Sequence, residues 1–353
     1  MLNASTAKLM AYVGTFVFAI AFGIAAAEVR LHRAGESNNP KVQPPSQSSV
    51  SIATTTIDDA LIDLSFRDSR TLFGAGTFAG LQRSNDLGRT WLRLKVDTGG
   101  WLLRHVDFVD DQTGWAAGDT ILMRTEDGGE TWTRRDLPGW LHHAEIDFVD
   151  RSVGYIAACD GSRRDHACIG NKILKTVDGG RTWRTVYKDD SSYTVFQLKA
   201  IDRDTVFVLN GGDSVRRTID GGATWQSTYR NRNAAQKMAV SPDSVIWLAG
   251  EGSLLRSFDK GLTWQHPPEL PPDFLSEKWH AIGFSSTGLG VVGGDGRCVG
   301  VTPDSGRSWK KYCSAKIEFG LMFDVEIQGD RAVIASSSSS EHDSISRLGL
   351  VID

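Results

Sequence analysis

Six aspartates recur in nearly identical sequence settings, and a carboxylate can act as a general acid, a general base or a nucleophile. They are Asp86, Asp127, Asp178, Asp220, Asp259 and Asp304. Each stands in the pattern Ser/Thr-x-Asp-x-Gly-x-Thr/Ser-Trp, as in "TVDGGRTW" from Thr176 to Trp183. Glycoside hydrolysis uses two opposed carboxylates. A catalytic group need occur only once, whereas a turn residue occurs once per repeat, so the repetition predicts a structural role for all six and no catalytic residue.

Histidine is the other residue type that could carry chemistry here, as a metal ligand. The candidates are His105, His142, His143 and His280. They come from different repeats, and no carboxylate or cysteine spacing joins them into a ligand set. We therefore predict no metal site and no cofactor.

Short apolar runs broken by glycine precede every box and must position it. In the second repeat, "HVDFVD" (105–110) alternates in the period of a half-buried strand, and "GWAAG" (114–118) and "TILMRT" (120–125) follow. A fourth run, "TWTRRDL", comes after the box. The pattern predicts four strands per repeat, with the box at the turn between the third and the fourth. Successive boxes lie 39 to 51 residues apart, which is typical of radial β architectures.

The end of the chain departs from this plan, because residues 322–353 contain three strand-like runs and no box. The segment "SVSIATT" (49–55) can supply the missing fourth strand, which would close the ring and remove its edges. We therefore predict an all-β fold: a seven-bladed β-propeller with Asp-box turns, closed by an N-terminal strand that completes the last blade.

Within each box, the Asp can accept hydrogen bonds from its own turn, the Gly permits positive φ, and the Trp can pack on the outer strand. The pattern resembles the Asp-box, or bacterial neuraminidase repeat. That motif occurs in sialidases, xyloglucan-type glycosidases, sortilin-like receptors and the photosystem II stability/assembly factor family. The resemblance implies that the boxes lie on the rim, away from the ligand face, and it identifies the fold better than the function.

A sialidase-like enzyme is one reading of this resemblance. Such a site needs three arginines, a Tyr nucleophile with a Glu partner, and an Asp acid/base, and sialidases usually place an Arg-Ile-Pro stretch before the first box. This chain has "LSFRDSR" (64–70) there, with Arg67 and Arg70 but without that tripeptide. We therefore predict that the protein is not an enzyme. The alternative hypothesis is a sialidase-like glycoside hydrolase or a carbohydrate-binding propeller.

The photosystem II assembly factor family is more similar, over about residues 50–353. Its plan is an N-terminal membrane or export segment, a linker and one propeller with a box in nearly every blade, and "GWAAGDTILMRTEDGGETW" (114–132) looks like its repeat. The resemblance implies a partner-binding surface that is an arginine-rich patch on the propeller. The resemblance implies a noncatalytic module that binds a membrane protein or complex and assists its assembly or stability.

The face opposite the boxes is the predicted partner-binding surface, because exposed Trp, Arg and His favour protein recognition. Its candidate residues are Trp101, Arg104, His105, Trp140, His142, His143, Arg163, Arg164, Arg230, Arg232, Trp279 and His280. The alternative is that the tryptophans fill the core between blades. Arg163 and Arg164 lie in the loop "CDGSRRDHAC" (159–168), which has no counterpart in the other repeats. These two arginines could bind an acidic partner, and the alternative is that they are merely solvated charges.

Four cysteines form two local pairs. Cys159 and Cys168 are nine residues apart, and Cys298 and Cys313 flank the last box, where facing strands would allow a bridge. Two disulfides indicate an oxidising compartment. Unpaired thiols and a zinc site are the alternatives, and the spacing does not favour zinc.

The N-terminus contains 19 consecutive uncharged, mostly apolar residues, 9–27. That length favours an uncleaved anchor over a cleaved signal peptide. We predict a signal anchor or signal peptide over 1–33, a flexible linker over 34–48 and the propeller over 49–353, exported and either membrane-anchored or periplasmic. The net charge of -4 gives no electrostatic reason to expect a nucleic-acid partner.

Overall fold

The computed structural model describes most of the chain. The described residues are 24–30, 50–54, 61–76, 80–161, 168–190, 195–210, 214–230, 235–294, 298–313, 319–338 and 351–352. Regular structure in these ranges is β-strand, apart from one 3₁₀ turn at Pro272–Phe274. Within the same ranges, no helix is both long enough and apolar enough to cross a membrane.

Consecutive antiparallel hairpins form six units, one for each box. Two strands precede them: β1 (Ile24–Arg30) and β2 (Val50–Thr54). Unit 1 comprises β3 (Leu61–Phe66), β4 (Leu72–Gly76), β5 (Gly80–Ser84) and β6 (Leu92–Arg93). Unit 2 comprises β7 (Leu103–Phe108), β8 (Gly114–Gly118), β9 (Ile121–Thr125) and β10 (Thr133–Asp136). Unit 3 comprises β11 (Leu141–Phe148), β12 (Gly154–Gly161), β13 (Cys168–Thr176) and β14 (Arg184–Asp189). Each box lies between the third and fourth strands, as the repeat pattern predicts.

The later units follow the same plan with one exception. Unit 4 comprises β15 (Val195–Ala200), β16 (Val206–Asn210), β17 (Ser214–Thr218) and β18 (Gln226–Arg230). Unit 5 comprises β19 (Ala235–Val240), β20 (Ile246–Gly250) and β21 (Ser253–Ser257). Unit 6 comprises β22 (Trp279–Phe284), β23 (Gly290–Gly294), β24 (Cys298–Thr302) and β25 (Lys310–Cys313). Unit 5 therefore has three strands, and the expected fourth strand at "TWQHP" is wrong. Gln265 still pairs with Arg256, but Pro267 and Pro268 follow it and lack the N–H that a ladder needs.

A last sheet completes the arrangement. It adds β26 (Phe319–Gln328), β27 (Arg331–Ser338) and β28 (Val351–Ile352), in the order β26-β27-β1-β2-β28. As expected, β2 joins this closing sheet, but β1 lies between it and β27, a place that we expected a C-terminal strand to fill. Residues 24–27, which we assigned to the apolar helix, are in strand β1, and residues 1–23 lie outside the described residues.

The first strands of the units line a common axis. Each contacts the first strand of the next unit, in the order β3, β7, β11, β15, β19, β22 and β26, and β26 contacts β3 again. Second strands such as "GWAAG", "VFVLN" and "IWLAG" are buried along their whole length, because they pack between neighbouring units. Trp115 of unit 2, for example, stacks on Phe148 of unit 3 with ring centroids 3.6 Å apart. The result is a propeller-like ring of sheets.

Candidate functional site

The box aspartates are engaged within their own turns. In unit 3, Thr176 Oγ1 accepts a hydrogen bond from Gly180 N (2.9 Å) and donates one to Asp178 (2.8 Å). Asp178 also accepts hydrogen bonds from Thr182 N (2.8 Å) and Thr182 Oγ1 (2.6 Å). Burial opposes ionisation, but these hydrogen bonds outweigh it and lower the pKa of Asp178 to about 2. The other five boxes repeat the same hydrogen bonds from the residue four positions after the Asp.

The sequence analysis missed a second repeated aspartate, in the turn between the first and second strands. Asp110 accepts hydrogen bonds from Gln112 N (2.9 Å) and Thr113 N (2.8 Å). Asp68, Asp150 and Asp202 make the same pair of bonds in their own units. An Asp four residues before the start of the second strand was the available signal.

A basic residue before several boxes connects one unit to the next, and it was missed too. Lys175 precedes the third box, and its Nζ donates to the carbonyls of Arg203 (2.9 Å) and Gly221 (3.4 Å) of unit 4. Arg217, before the fourth box, donates likewise to the carbonyl of Lys260 in unit 5. The rim is therefore linked through backbone acceptors.

The axis carries a cluster of charged side chains that the sequence analysis did not predict. We define its first tier as Asp63, His105, Glu145, Gln197, Lys237, Ala281 and Asp324, and its second tier as Ser65, Asp107, Asp147, Lys199, Ala239, Gly283 and Glu326. Members of a tier occupy equivalent register positions opposite the second strand of their own sheet. An alternating strand such as "HVDFVD" shows that one face is polar, but not that this face borders a shared axis.

Axial carboxylates connect neighbouring first strands. Asp63 accepts a hydrogen bond from Val106 N of the next unit (2.8 Å), and Asp147 accepts one from Ala200 N (3.0 Å). Asp324 of the closing sheet accepts one from Leu64 N of unit 1 (3.0 Å). These side chains therefore hold sheets together across the places where hairpin hydrogen bonding stops.

Cations balance part of the axial charge. His105 Nε2 lies 3.0 Å from Glu145 Oε1, and His105 Nδ1 lies 3.6 Å from Asp63 Oδ2. Burial alone would lower the pKa of His105, but these two carboxylates raise it to about 10. Lys199 Nζ lies 2.9 Å from Asp147. His105, which we assigned to an exposed face, is therefore an ion-paired residue of the axis.

Two predicted tryptophans lie together at the end of the axis opposite the boxes. Trp101 and Trp140 are half-buried and meet edge to face, with ring centroids 5.0 Å apart. Trp140 Nε1 donates to His142 Nε2 (2.5 Å), and Leu102 beside Trp101 is 37% exposed. His143 is exposed, and Arg104 is half-buried. We call Trp101, Leu102, Arg104, Trp140 and His143 the aromatic face.

Three other predicted residues are not on an exposed surface. Trp279 is 1% exposed, and His142 and His280 are also buried. Trp279 pairs with Gly294, as Leu103 pairs with Gly118 in unit 2, so it occupies a core position within the strand. Trp101 instead stands two residues before its strand, so the prediction of an exposed position is wrong for Trp279, which fills the core as the alternative predicted.

The remaining predicted face residues lie in or beside the individual loops. Arg163, Arg164 and Arg232 are outside the described residues, as is the side chain of Arg230 at the end of β18. The strand entering the 159–168 loop contacts the aromatic face, because Gly161 N donates to Trp140 O (2.9 Å). The loop with the two arginines therefore begins beside the tryptophan pair.

One disulfide joins Cys298 and Cys313, which lie opposite each other on β24 and β25, as predicted. Cys159 is also disulfide-bonded, and the side chain of its predicted partner Cys168 lies outside the described residues. Among the described residues, no three His, Cys, Asp or Glu side chains are placed to hold a metal ion.

A cleft on the outer rim of unit 2, on the box side, is a second surface with binding potential. Its volume is about 150 Å³, and it is lined by Arg124, Glu126, Asp127, Thr131, Thr133 and Arg135. The Arg124 side chain is 7% exposed and pairs with Glu126 through Nη2 (2.9 Å). Among the residues that the structure describes, its Nε and Nη1 have no hydrogen-bond partner, and neither has Arg135 Nε. These nitrogens are buried, and the Arg124 guanidinium lies over the Trp115 ring, with Cζ 5.6 Å from the ring centroid. The cleft therefore offers an anionic group the positive charge of two arginines rather than accessible unpaired donors.

Comparison with known proteins bears on this arrangement. Residues 42–145 match the model of the photosynthesis system II assembly factor YCF48 family. A curated relative, the photosystem II assembly lipoprotein Ycf48 of Synechococcus sp. (strain CC9902), is 29% identical over 136 residues. That match covers 36% of this chain and 37% of the relative.

Solved structures extend the likeness to nearly the whole fold. A structure of YCF48 bound to a D1 peptide superimposes with a TM-score of 0.60 and 17% identity, over 88% of this chain and all of the other. The protein is an Asp-box β-propeller that resembles the photosystem II assembly factors. An enzyme shares the architecture too: a GH74 xyloglucanase from Xanthomonas campestris has a TM-score of 0.62 at 12% identity, over 85% of this chain and 55% of that one. At these identities the superpositions show the fold alone.

Proposed function

We propose that the protein is a noncatalytic, seven-bladed propeller that binds a protein partner and assists the assembly or stability of a membrane protein complex. The observation that carries this proposal is the match to the YCF48 family model, together with the likeness to YCF48 bound to a D1 peptide. The closing sheet would be the seventh blade. Export and tethering by the N-terminal segment are part of the proposal, and the Ycf48 relative being a lipoprotein supports them.

The axis supports a role without catalysis. A glycosidase needs one carboxyl group to protonate the leaving group and another free to attack or to activate water. Here Asp63 and Asp147 accept backbone hydrogen bonds from the next unit, and Glu145 pairs with His105. Such carboxylates hold the ring together, which argues against the sialidase-like alternative.

The aromatic face is the proposed partner surface. Trp101 and Trp140 offer large amphipathic side chains at one end of the axis, and tryptophan is enriched among residues that dominate binding energies. Exposed Leu102 and His143 adjoin them, and the 159–168 loop begins beside them. An extended segment of a partner could lie across this end of the ring.

The arginine-lined cleft is the second candidate surface. Arg124 and Arg135 give the cleft positive charge, and an acidic side chain or a chain terminus of a partner would pair with that charge. It lies toward the box side, so the two surfaces are separable by mutation.

Crosslinked capture from solubilised membranes of the source organism tests the proposal. Immobilised propeller should retain subunits of one membrane complex, identified by mass spectrometry. Trp101→Ala with Trp140→Ala should abolish that capture if the aromatic face binds, and Arg124→Met with Arg135→Met should do so if the cleft binds. Trp183→Phe, on the rim of unit 3, is the matched control.

The opposite results would reject the proposal. Unchanged capture by both double variants excludes both surfaces, and capture of soluble proteins alone excludes a membrane complex. If the protein hydrolyses a sialoside or another glycoside and Glu145→Gln abolishes this activity, the proposal is wrong and the protein is a glycoside hydrolase.

A further inference from the structure

The second tier of the axis contains more carboxylates than cations. Asp107, Asp147 and Glu326 surround one lysine, Lys199, while the other three sheets contribute Ser65, Ala239 and Gly283. The three small side chains bring no charge to this level. The second tier therefore has two negative charges in excess whenever all its groups are ionised.

Only one of the three carboxylates is paired with the lysine. Asp147 lies 2.9 Å from Lys199 Nζ. Asp107 accepts a hydrogen bond from Phe148 N (2.6 Å), and among the described residues it has no ion pair. Glu326, on the closing sheet, has neither a hydrogen bond nor an ion pair within the described part of the chain. Asp107 and Glu326 are both half-buried, so water screens their charges incompletely.

The first tier supplies no spare cation. His105 lies between Asp63 and Glu145, and Lys237 Nζ lies 3.5 Å from Asp324. Unit 6 contributes only Ala281 and Gly283 to the axis. The charged groups that face Asp107 and Glu326 from the packed first strands are Asp63, His105, Glu145, Asp147, Lys199, Lys237 and Asp324. Every cation among them is already opposite a carboxylate.

We propose that the second tier takes up a proton on Asp107 or Glu326 in mildly acidic solution, and that this proton tightens the ring. Protonation removes one of the excess charges, and a carboxylic acid can donate a hydrogen bond to the neighbouring carboxylate, which an ionised group cannot. The propeller would then be more stable in an acidified compartment than at slightly alkaline pH.

The direction of the titration agrees with this geometry. Burial, followed by the Asp147 carboxylate, raises the pKa of Asp107 to about 7. Burial and the Asp324 carboxylate raise the pKa of Glu326 well above its ordinary value. A group whose pKa is raised by folding stabilises the fold below its unfolded pKa, and this contribution is lost as the pH rises through the folded pKa. For Asp107, stability therefore increases as the pH falls from 8 towards 5.5.

Urea unfolding of the full chain at several pH values tests the proposal. With one proton bound at a pKa of about 7, this carboxyl group should contribute about a thirtyfold rise in the folding equilibrium constant between pH 8 and pH 5.5. His105, whose pKa folding raises to about 10, adds a rise of its own over the same range. Asp107→Asn and Glu326→Gln keep the side-chain shape and remove the titration, so at least one of them should reduce the rise about thirtyfold and leave only the part that is due to His105. Asp136→Asn, at an exposed carboxylate on the outer strand of unit 2, is the control and should leave the dependence unchanged.

A direct titration separates proton uptake from general stability. Carboxyl carbon resonances in selectively labelled protein should show one Asp or Glu titrating near neutral pH, and that signal should vanish in the responsible variant. The proposal is overturned if neither variant reduces the rise in stability between pH 8 and pH 5.5, or if all axial carboxyl resonances titrate below pH 5.

Discussion

The rim and the axis use carboxylates in opposite ways. On the rim, Asp178 and its five counterparts make the same hydrogen bonds within a single turn, near solvent. At the axis, equivalent positions carry different residues, and Asp63 or Asp147 bonds to the backbone of another unit. A rim aspartate therefore depends on its own eight residues, whereas an axial one depends on the closed ring.

This difference shows in the pKa values. Hydrogen bonds lower the pKa of Asp220, on the rim, to about 2, while burial raises the pKa of Asp147 at the axis. Hydration and local donors favour the charged form on the rim, and loss of hydration opposes it at the axis. Asp63 shows that a cation can outweigh this loss, because burial opposes its ionisation but His105 lowers its pKa nonetheless. The rim should consequently respond to mutation in small additive steps, and the axis in large coupled ones.

The largest effect is expected from removing the axial histidine. His105→Leu leaves Asp63 and Glu145 without their shared cation, and breaking a buried ion pair from one side costs about 3–5 kcal/mol in the free energy of unfolding. Urea unfolding at pH 7 measures the loss. The pKa of His105 is raised to about 10, so its contribution is complete below pH 6.5 and disappears as the pH rises through 10.

A double variant checks that this loss is electrostatic. Adding Glu145→Gln to His105→Leu removes one uncompensated carboxylate and should recover part of the stability. If the double variant is less stable than His105→Leu alone, the histidine acts through packing. The axial carboxylates would then not depend on a shared cation as we infer.

The rim was predictable from the sequence because its interactions are local. The six boxes recur within eight residues each, so composition and spacing were enough to predict the turn, the strand order and an all-β ring. The axial residues interact at separations of 40 residues or more, as between His105 and Glu145. An alternating strand contains the same letters whether its polar face meets water or six other strands.

Two predictions of secondary structure were wrong, and both errors arose because a local sequence pattern fits more than one structure. Pro267 and Pro268 prevent the expected fourth strand of unit 5 from forming, because neither can donate a hydrogen bond to a β-ladder. The chain then turns, and Phe274 packs against Trp279. An apolar run suits a buried strand as well as a membrane helix, which is how residues 24–27 came to be assigned to a helix.

A smaller and additive loss is expected at the rim. Asp178→Ala removes the acceptor for Thr182 N and Thr182 Oγ1, but solvent can replace part of these bonds, so the cost should be about 1–2 kcal/mol. Asp220→Ala should cost a similar amount. The double variant, measured by urea unfolding, should equal the sum of the two within about 0.5 kcal/mol. Marked non-additivity would mean that the boxes are coupled around the ring.

Next comes the link between rim turns. Lys175→Met keeps the apolar stem and removes the ammonium that donates to the carbonyls of Arg203 and Gly221. The expected cost is about 1 kcal/mol, the usual net value of such hydrogen bonds. Amide hydrogen exchange should rise in the fourth box, around Gly221, more than in the second. A uniform rise in exchange across both boxes would show that Lys175 supports the fold as a whole rather than one seam.

The smallest effect should come from the apolar tips of three successive boxes. Val177, Ile219 and Phe258 share the same box position and are 63%, 55% and 61% exposed. Replacing each by Ser should change the free energy of unfolding by less than about 0.5 kcal/mol, because exposed side chains lose little packing. If the partner binds the aromatic face, the triple variant should also capture it as well as the wild type does. Lost capture with unchanged stability would move the binding site to the box side, and the rim would then be a recognition surface as well as a set of braces.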